Sequence, residues 1–161
     1  MAIRVQREDF DVGAELAALG AGNHRIGGIC SFVGLVRDMN EGAGASEGVS
    51  AMTLEHYPGM TEKQLAAIDA EAHRRWPLEA SLVVHRHGRL EPGDRIVLVA
   101  TASPHREAAF EACHFLIDWL KTKAPFWKVE ESAEGAARWV EARESDDAAA
   151  ARWAAVDGKE G

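Results

Sequence analysis

Arg95–Lys128 reads RIVLVATASPHREAAFEACHFLIDWLKTKAPFWK: an apolar run, a helical pattern, then an aromatic exit rich in lysine. The run Arg95–Ala102 is short and rich in β-branched residues, so it reads as a strand of the buried type. Ser103 is a residue type that caps helices. Pro104 comes next, where the first helical residue would sit and its missing N–H costs nothing. Phe110, Cys113, Ile117 and Leu120 recur at helical spacing and predict a buried stripe, and Pro125 ends the helix shortly after Lys121.

Ahead of this stretch, strands are expected at Ile3–Val5, Ile26–Val36, Val49–Tyr57 and Ala80–His87. The turn Glu91-Pro-Gly-Asp94 separates Ala80–His87 from Arg95–Ala102 and predicts a hairpin. A second helix opens with Thr61 and Gln64 at capping-box spacing and runs to Trp76, ahead of Pro77. Its stripe of Leu65, Ile68, Ala72 and Trp76 predicts core packing. An alanine-rich helix is expected over Asp146–Ala155, behind Ser145. Strands and helices do not alternate regularly, which predicts an α+β fold with a mixed or antiparallel sheet and packed helices. Asp38–Gly48 (DMNEGAGASEG) has no periodicity and reads as a mobile loop of the kind that closes over sites.

The chain has 161 residues, 47% hydrophobic and 27% charged, which suits one globular domain over residues 1–161. Its net charge of −8 argues against a nucleic-acid or membrane-surface binder, since both need a basic face. Most of that acidity lies late: residues 129–161 hold four Lys/Arg against nine Asp/Glu. Cys30 and Cys113 are too few and too isolated for a disulfide framework or a zinc knuckle, and read as small buried hydrophobes. No run approaches the roughly 20 apolar residues of a membrane span, and the first residues lack a secretory apolar core. These readings predict a cytoplasmic protein.

Candidate chemistry gathers around the central helix. Its first turn offers free N–H groups, the positive end of the dipole, and the side chains of His105 and Arg106, which together suit an anion such as phosphate. Lys121, Lys123 and Lys128 surround Pro125, Phe126 and Trp127 at the other end. Lys121 lies eleven residues after Phe110, about 1100° of helical rotation, which predicts an ammonium on the apolar face. A lysine so placed could serve as nucleophile, general acid/base or fixed charge. His85 and His87 share a strand face, a spacing that can bind metal, but no third ligand is signalled, so polar edge residues are the expectation. Arg37 and Asp38 come after an apolar strand and open the loop, a common place for ligand-binding side chains. Neither a metal nor a resident cofactor is expected.

Six segments resemble the catalytic (large) subunits of molybdopterin synthase, the MoaE family. They are FVGLVRDMN (Phe32–Asn40), LEHYPGMTEK (Leu54–Lys63), HRHGRLEPGD (His85–Asp94), SPHREAAFEA (Ser103–Ala112), LKTKAPFWKVE (Leu120–Glu130) and RWVEARESD (Arg138–Asp146). The resemblance spans about residues 26–146 in consistent order, with LKTKAPFWK and SPHR its most specific parts. It implies an α/β-hammerhead type of α+β fold and a homodimer carrying a small ubiquitin-like sulfur-carrier subunit at each end. It also implies transfer of two sulfur atoms from the carrier's C-terminal thiocarboxylate to cyclic pyranopterin monophosphate, forming the dithiolene of molybdopterin. Residue by residue, the resemblance makes Lys121 the catalytic lysine and Lys128 a second lysine needed there. His105 and Arg106 would hold the phosphate region, and Leu35, Val36 and Arg37 a substrate-binding strand end. Val129 and Glu130 would continue the substrate-contacting segment, and Arg143 would reach the neighbouring protomer's pocket. Without the resemblance, two other classes stay open: a module that binds a phosphorylated small molecule through the Ser103–Arg106 turn, and a purely structural partner subunit.

Overall fold

The longest apolar runs become the middle of a sheet because both of their faces are covered. The computed structural model describes residues 2–37, 49–132, 137–140 and 144–154. In chain order the first elements are β1 (Ala2–Gln6), α1 (Val12–Gly20), β2 (Gly28–Leu35), β3 (Val49–His56), α2 (Met60–Arg75) and β4 (Ala80–Arg86). After them come β5 (Gly88–Leu90), β6 (Arg95–Ser103), α3 (Arg106–Lys123), β7 (Phe126–Ser132), β8 (Ala137–Val140) and α4 (Glu144–Ala151). One sheet has the order β1-β4-β6-β2, with β1 parallel to β4 and the other pairs antiparallel; the second has the antiparallel order β5-β3-β7-β8.

Val83, Val97 and Val99 face α2 and α3, where they meet Leu65, Ile68, Ala72, Phe115, Leu116 and Leu120. Leu82, Val84, Leu98 and Ala100 face the opposite side and pack with Phe10, Leu16 and Leu19, so α1 covers that face. Continuous apolar sequence in β4 and β6 is the direct consequence of burial on both sides. Each fully buried Val, Leu or Phe among them contributes about 1.5–3 kcal/mol. Val36, Met52, Leu54 and Leu90 form a smaller core between the two sheets, with Ile96 packed against it.

The α+β expectation is met, with differences that have local causes. β4 and β6 do pair antiparallel, but β5 intervenes and joins the second sheet, so the turn at residues 91–94 links β5 to β6 and is not a simple hairpin. In α2 the cap is Gly59, whose amide donates to Glu62 Oε2 at 2.7 Å. Thr61 instead is buried, and its hydroxyl accepts from the Tyr57 amide and donates to the Pro125 carbonyl. Ser103 closes β6, its hydroxyl donating to the Pro77 carbonyl, and His105 is the cap of α3. Phe110 is 62% exposed: the buried face of α3 is set by Ala109, Ala112, Cys113, Phe115, Leu116 and Leu120, one step round from the expected stripe. The C-terminal helix begins at Glu144, and Trp153 beyond it donates from Nε1 to the buried Asp118 on α3. The loop at residues 38–48 and Arg143 lie outside the described residues.

Candidate functional site

The sheet fixes which candidate residues can meet. β6 starts with Arg95 opposite Leu35 and ends with Ser103 opposite Gly28, and α3 then returns across β6 and β2. His105 and Arg106 therefore sit at the Ser103 end. Gly27 makes this close approach possible: its amide donates to the Ser103 carbonyl, and a Cβ there would stand 2.0 Å from the Pro104 carbonyl oxygen. At the other end lie the exposed Lys121, in the last turn of α3, and Arg37, just past β2. The Val36 amide donates to the Asp94 carbonyl and the Gly93 amide to the Val36 carbonyl, so Val36 is tied to the turn that precedes β6. Its neighbour Leu35 is 54% exposed.

Arg106 and Lys121 bound nearly the whole of α3. At a rise of 1.5 Å per residue they stand about 22 Å apart along the axis. A single chain thus does not gather all the candidate cations. It brings Lys121, Lys128 and the Arg37 end of β2 to one end of the sheet and leaves His105 and Arg106, both exposed, at the other. Phe110 and Lys121 do share a helical azimuth, but the face is an outward one, so the Lys121 ammonium is exposed and not set on an apolar face as the spacing predicts. Val129 and Glu130 lie in β7 with backbone partners on both sides, Thr53 and Met52 in β3 and Trp139 and Arg138 in β8.

Against the start of β7 lies a residue that the sequence pattern alone assigns to an edge strand. β4 is an interior strand, between β1 and β6, and His85 on it is only 5% exposed. Its ring stacks on Phe126 at 3.7 Å between centroids and 18° between planes. Burial pushes its pKa down to about 4; the Arg86 carbonyl opposes this, and the charges of Lys121, Lys128 and His56 add to the depression. The Phe126 stack sets the start of β7 against this imidazole, and Lys121 and Lys128 are near enough for their charges to act on it. His87 packs on His56 instead, with ring centroids 4.2 Å apart, and burial lowers its pKa. Among the described residues no three His, Cys, Asp or Glu side chains come together as metal ligands.

Lys123 is set apart from its neighbours: its Nζ stands 3.9 Å from the Trp119 ring centroid, a cation–π contact that occupies it. Cys113 is buried, and burial, then the adjacent Cys30, drive its thiol pKa far up, so it carries no nucleophilic thiolate. Among the described residues no helix is long and apolar enough to cross a membrane.

The burial of His85 does have a signal in the sequence. This histidine comes directly after the run Leu82-Val83-Val84, and a strand that is apolar on both faces is interior along its length, its polar members included.

Comparison with known proteins agrees with this architecture. A family model described as MoaE protein matches residues 5–123. The molybdopterin synthase catalytic subunit of Pseudomonas aeruginosa is 60% identical over 153 residues, covering 95% of this chain and 99% of that protein. That of Ralstonia nicotianae is 59% identical over 154 residues, covering 96% and 85%. Among solved structures, the molybdopterin biosynthesis MoaE protein from Burkholderia ambifaria superposes with a TM-score of 0.80 at 56% identity, covering 96% of this chain and 99% of that one.

Proposed function

The chain belongs to the MoaE protein family, and on that premise we propose that it is a sulfurtransferase working as a single domain over residues 1–161. It acts in molybdopterin biosynthesis as a catalytic subunit, together with a partner subunit. The finer reading is that the partner is a small ubiquitin-like carrier. Sulfur passes from its C-terminal thiocarboxylate to cyclic pyranopterin monophosphate and builds the dithiolene. What supports this is that α3 ends around the exposed Lys121 and β7 then begins with Phe126 stacked on the buried His85 ring, with the exposed Lys128 two residues further on, so that both charges act on one imidazole. The lysines there would stabilise the anionic species that forms as the thiocarboxylate sulfur attacks. Lys121 would move a proton or accept the carrier's acyl group. The buried, protonated thiol of Cys113 fits a reaction whose sulfur arrives on a partner.

The length of α3 bears on the oligomer. A substrate that touches Lys121 is too far from His105 and Arg106 of the same chain, so in a homodimer those two residues serve the lysines of the opposite protomer. Arg143 is assigned to the same shared pocket. With one carrier at each end the assembly is a heterotetramer.

The test is reconstitution: purified protein, authentic thiocarboxylated carrier and cyclic pyranopterin monophosphate are expected to give dithiolene product. Absence of product would favour a phosphate-binding module with no chemistry of its own. Within the same assay Arg106→Ala and Lys128→Ala are each expected to weaken precursor binding about tenfold, the effect of one lost charge-assisted hydrogen bond. Unchanged affinity in both, measured by calorimetry, would remove the phosphate assignment.

A further inference from the structure

The separation of Lys121 and Lys128 is set by the short connection from α3 into β7. That connection is fastened at several points. The Phe126 amide donates to the Ala124 carbonyl at 2.9 Å, and the Thr61 hydroxyl donates to the Pro125 carbonyl at 3.1 Å. The third point is the His85 ring beneath Phe126. Phe126 and Lys128 are two residues apart on β7 and so share a face of the strand. A shift of the Phe126 ring is therefore carried directly to Lys128.

The His85 ring has a defined state. Nδ1 stands 2.8 Å from the Arg86 carbonyl oxygen, which can only accept, so Nδ1 carries the hydrogen and Nε2 the lone pair. The charged and titratable groups facing it are Lys121 from α3, Lys128 from β7 and His56 from β3, with His87 and Glu62 next to His56. A protonated ring would be a third positive charge beside the two lysines.

Resting on the reading of Lys121 and Lys128 given above, we propose that His85 is the positioning residue of the lysine pair. Its neutral, buried ring holds Phe126 and with it the start of β7, so that Lys128 stands at a fixed distance from Lys121. It supplies an aromatic platform without adding charge. Neither its position on β4 nor its burial brings it to the substrate, so it acts through Phe126.

Two readouts test this. In reconstituted turnover His85→Ala is expected to lower kcat about tenfold and to raise KM for the precursor by clearly less than Lys128→Ala does, because Lys128 keeps its charge and loses only its fixed distance from Lys121. His85→Phe restores the ring stack and is expected to recover kcat to within about threefold. Independently of turnover, pulse acetylation of the folded protein, read by mass spectrometry, is expected to show altered rates at Lys121 and Lys128 in His85→Ala and near-native rates in His85→Phe. Should His85→Ala not fold, Phe126→Leu removes the same stack from the other side and is expected to behave as His85→Ala does. Wild-type kcat and wild-type labelling in the alanine variant would overturn the proposal, as would a phenylalanine variant as impaired as the alanine one. If labelling shifts but Lys121→Ala turns over normally, the positioning stands and the assignment of the reaction to Lys121 falls.

Discussion

Lys121→Ala is expected to abolish dithiolene formation, lowering turnover by about a thousandfold or more, the scale on which loss of a nucleophile or proton-transfer group is felt. The fold should be indifferent to the change. Lys121 is exposed at the end of α3, and surface truncations outside special sites cost within about 0.5 kcal/mol. Unchanged thermal unfolding and unchanged carrier binding therefore accompany the loss. Lys121→Arg separates the roles, since it keeps a positive charge and removes the primary amine. Wild-type turnover in that variant would leave Lys121 only an electrostatic part. The proposed sharing of the pocket between two protomers gives a sharper test. Mixed dimers of Lys121→Ala and Arg106→Ala protomers contain one pocket carrying both defects and one carrying neither, if Arg106 serves the opposite chain. At precursor concentrations well below KM they are expected to turn over faster than either homodimer. Mixed dimers no more active than the Arg106→Ala homodimer would return both residues to the same chain, against the geometry of α3.

How far the sequence can be read depends on whether a signal is local. Val83, Val84 and Val97–Val99 mark their strands wherever they pair, because burial on both faces leaves continuous apolar runs. Leu65, Ile68 and Ala72 mark α2 by their spacing alone. β7 carries no such mark. FWKVEES mixes aromatic and charged residues, and its identity as a strand comes from pairing with β3, more than seventy positions earlier. α1 carries no strong mark either: Asp11 caps it by accepting from the Ala14 amide, but the helix has no buried residue of its own. For the site, residue types at strand and helix ends point to Arg37, His105, Arg106, Lys121 and Lys128. Their grouping is not legible, because it depends on which end of α3 each occupies. His85 stands out in the sequence for the wrong reason. A pair of alternating histidines suggests metal, whereas the burial that defines this one comes from the place of β4 inside the sheet.

Folding stability is expected to fall by about 3 kcal/mol between pH 7 and pH 4 on account of His85 alone, the free energy of a pKa displaced from about 6.5 to about 4. Proton counting gives the sign. Between those two values the unfolded chain binds a proton at this imidazole and the folded chain does not, so acid favours unfolding. The contribution is whole above about pH 6.5, declines through the interval, and is gone below about pH 4. His87, lowered by burial, adds in the same direction. The carboxylates held low act later. Asp9, hydrogen-bonded to Arg95, and Glu71, hydrogen-bonded to Arg74 and Arg75, are both drawn down to about 2. Their stabilisation is lost only as pH drops below the ordinary carboxylate values of 3.8 and 4.5. Asp69, fully buried and raised by that burial, works the other way, since its charged form is the unfavourable one. His87, Asp9, Glu71 and Asp69 are all present in a His85→Phe variant, so they drop out of the comparison with it. Urea unfolding of both proteins at pH 7, 6, 5 and 4.5 is the measurement. The variant, which keeps a ring against Phe126, should lose markedly less stability over that range. Parallel pH profiles would mean that the imidazole is hydrated or protonated in the folded protein, and the neutral platform beneath the two lysines would go with it.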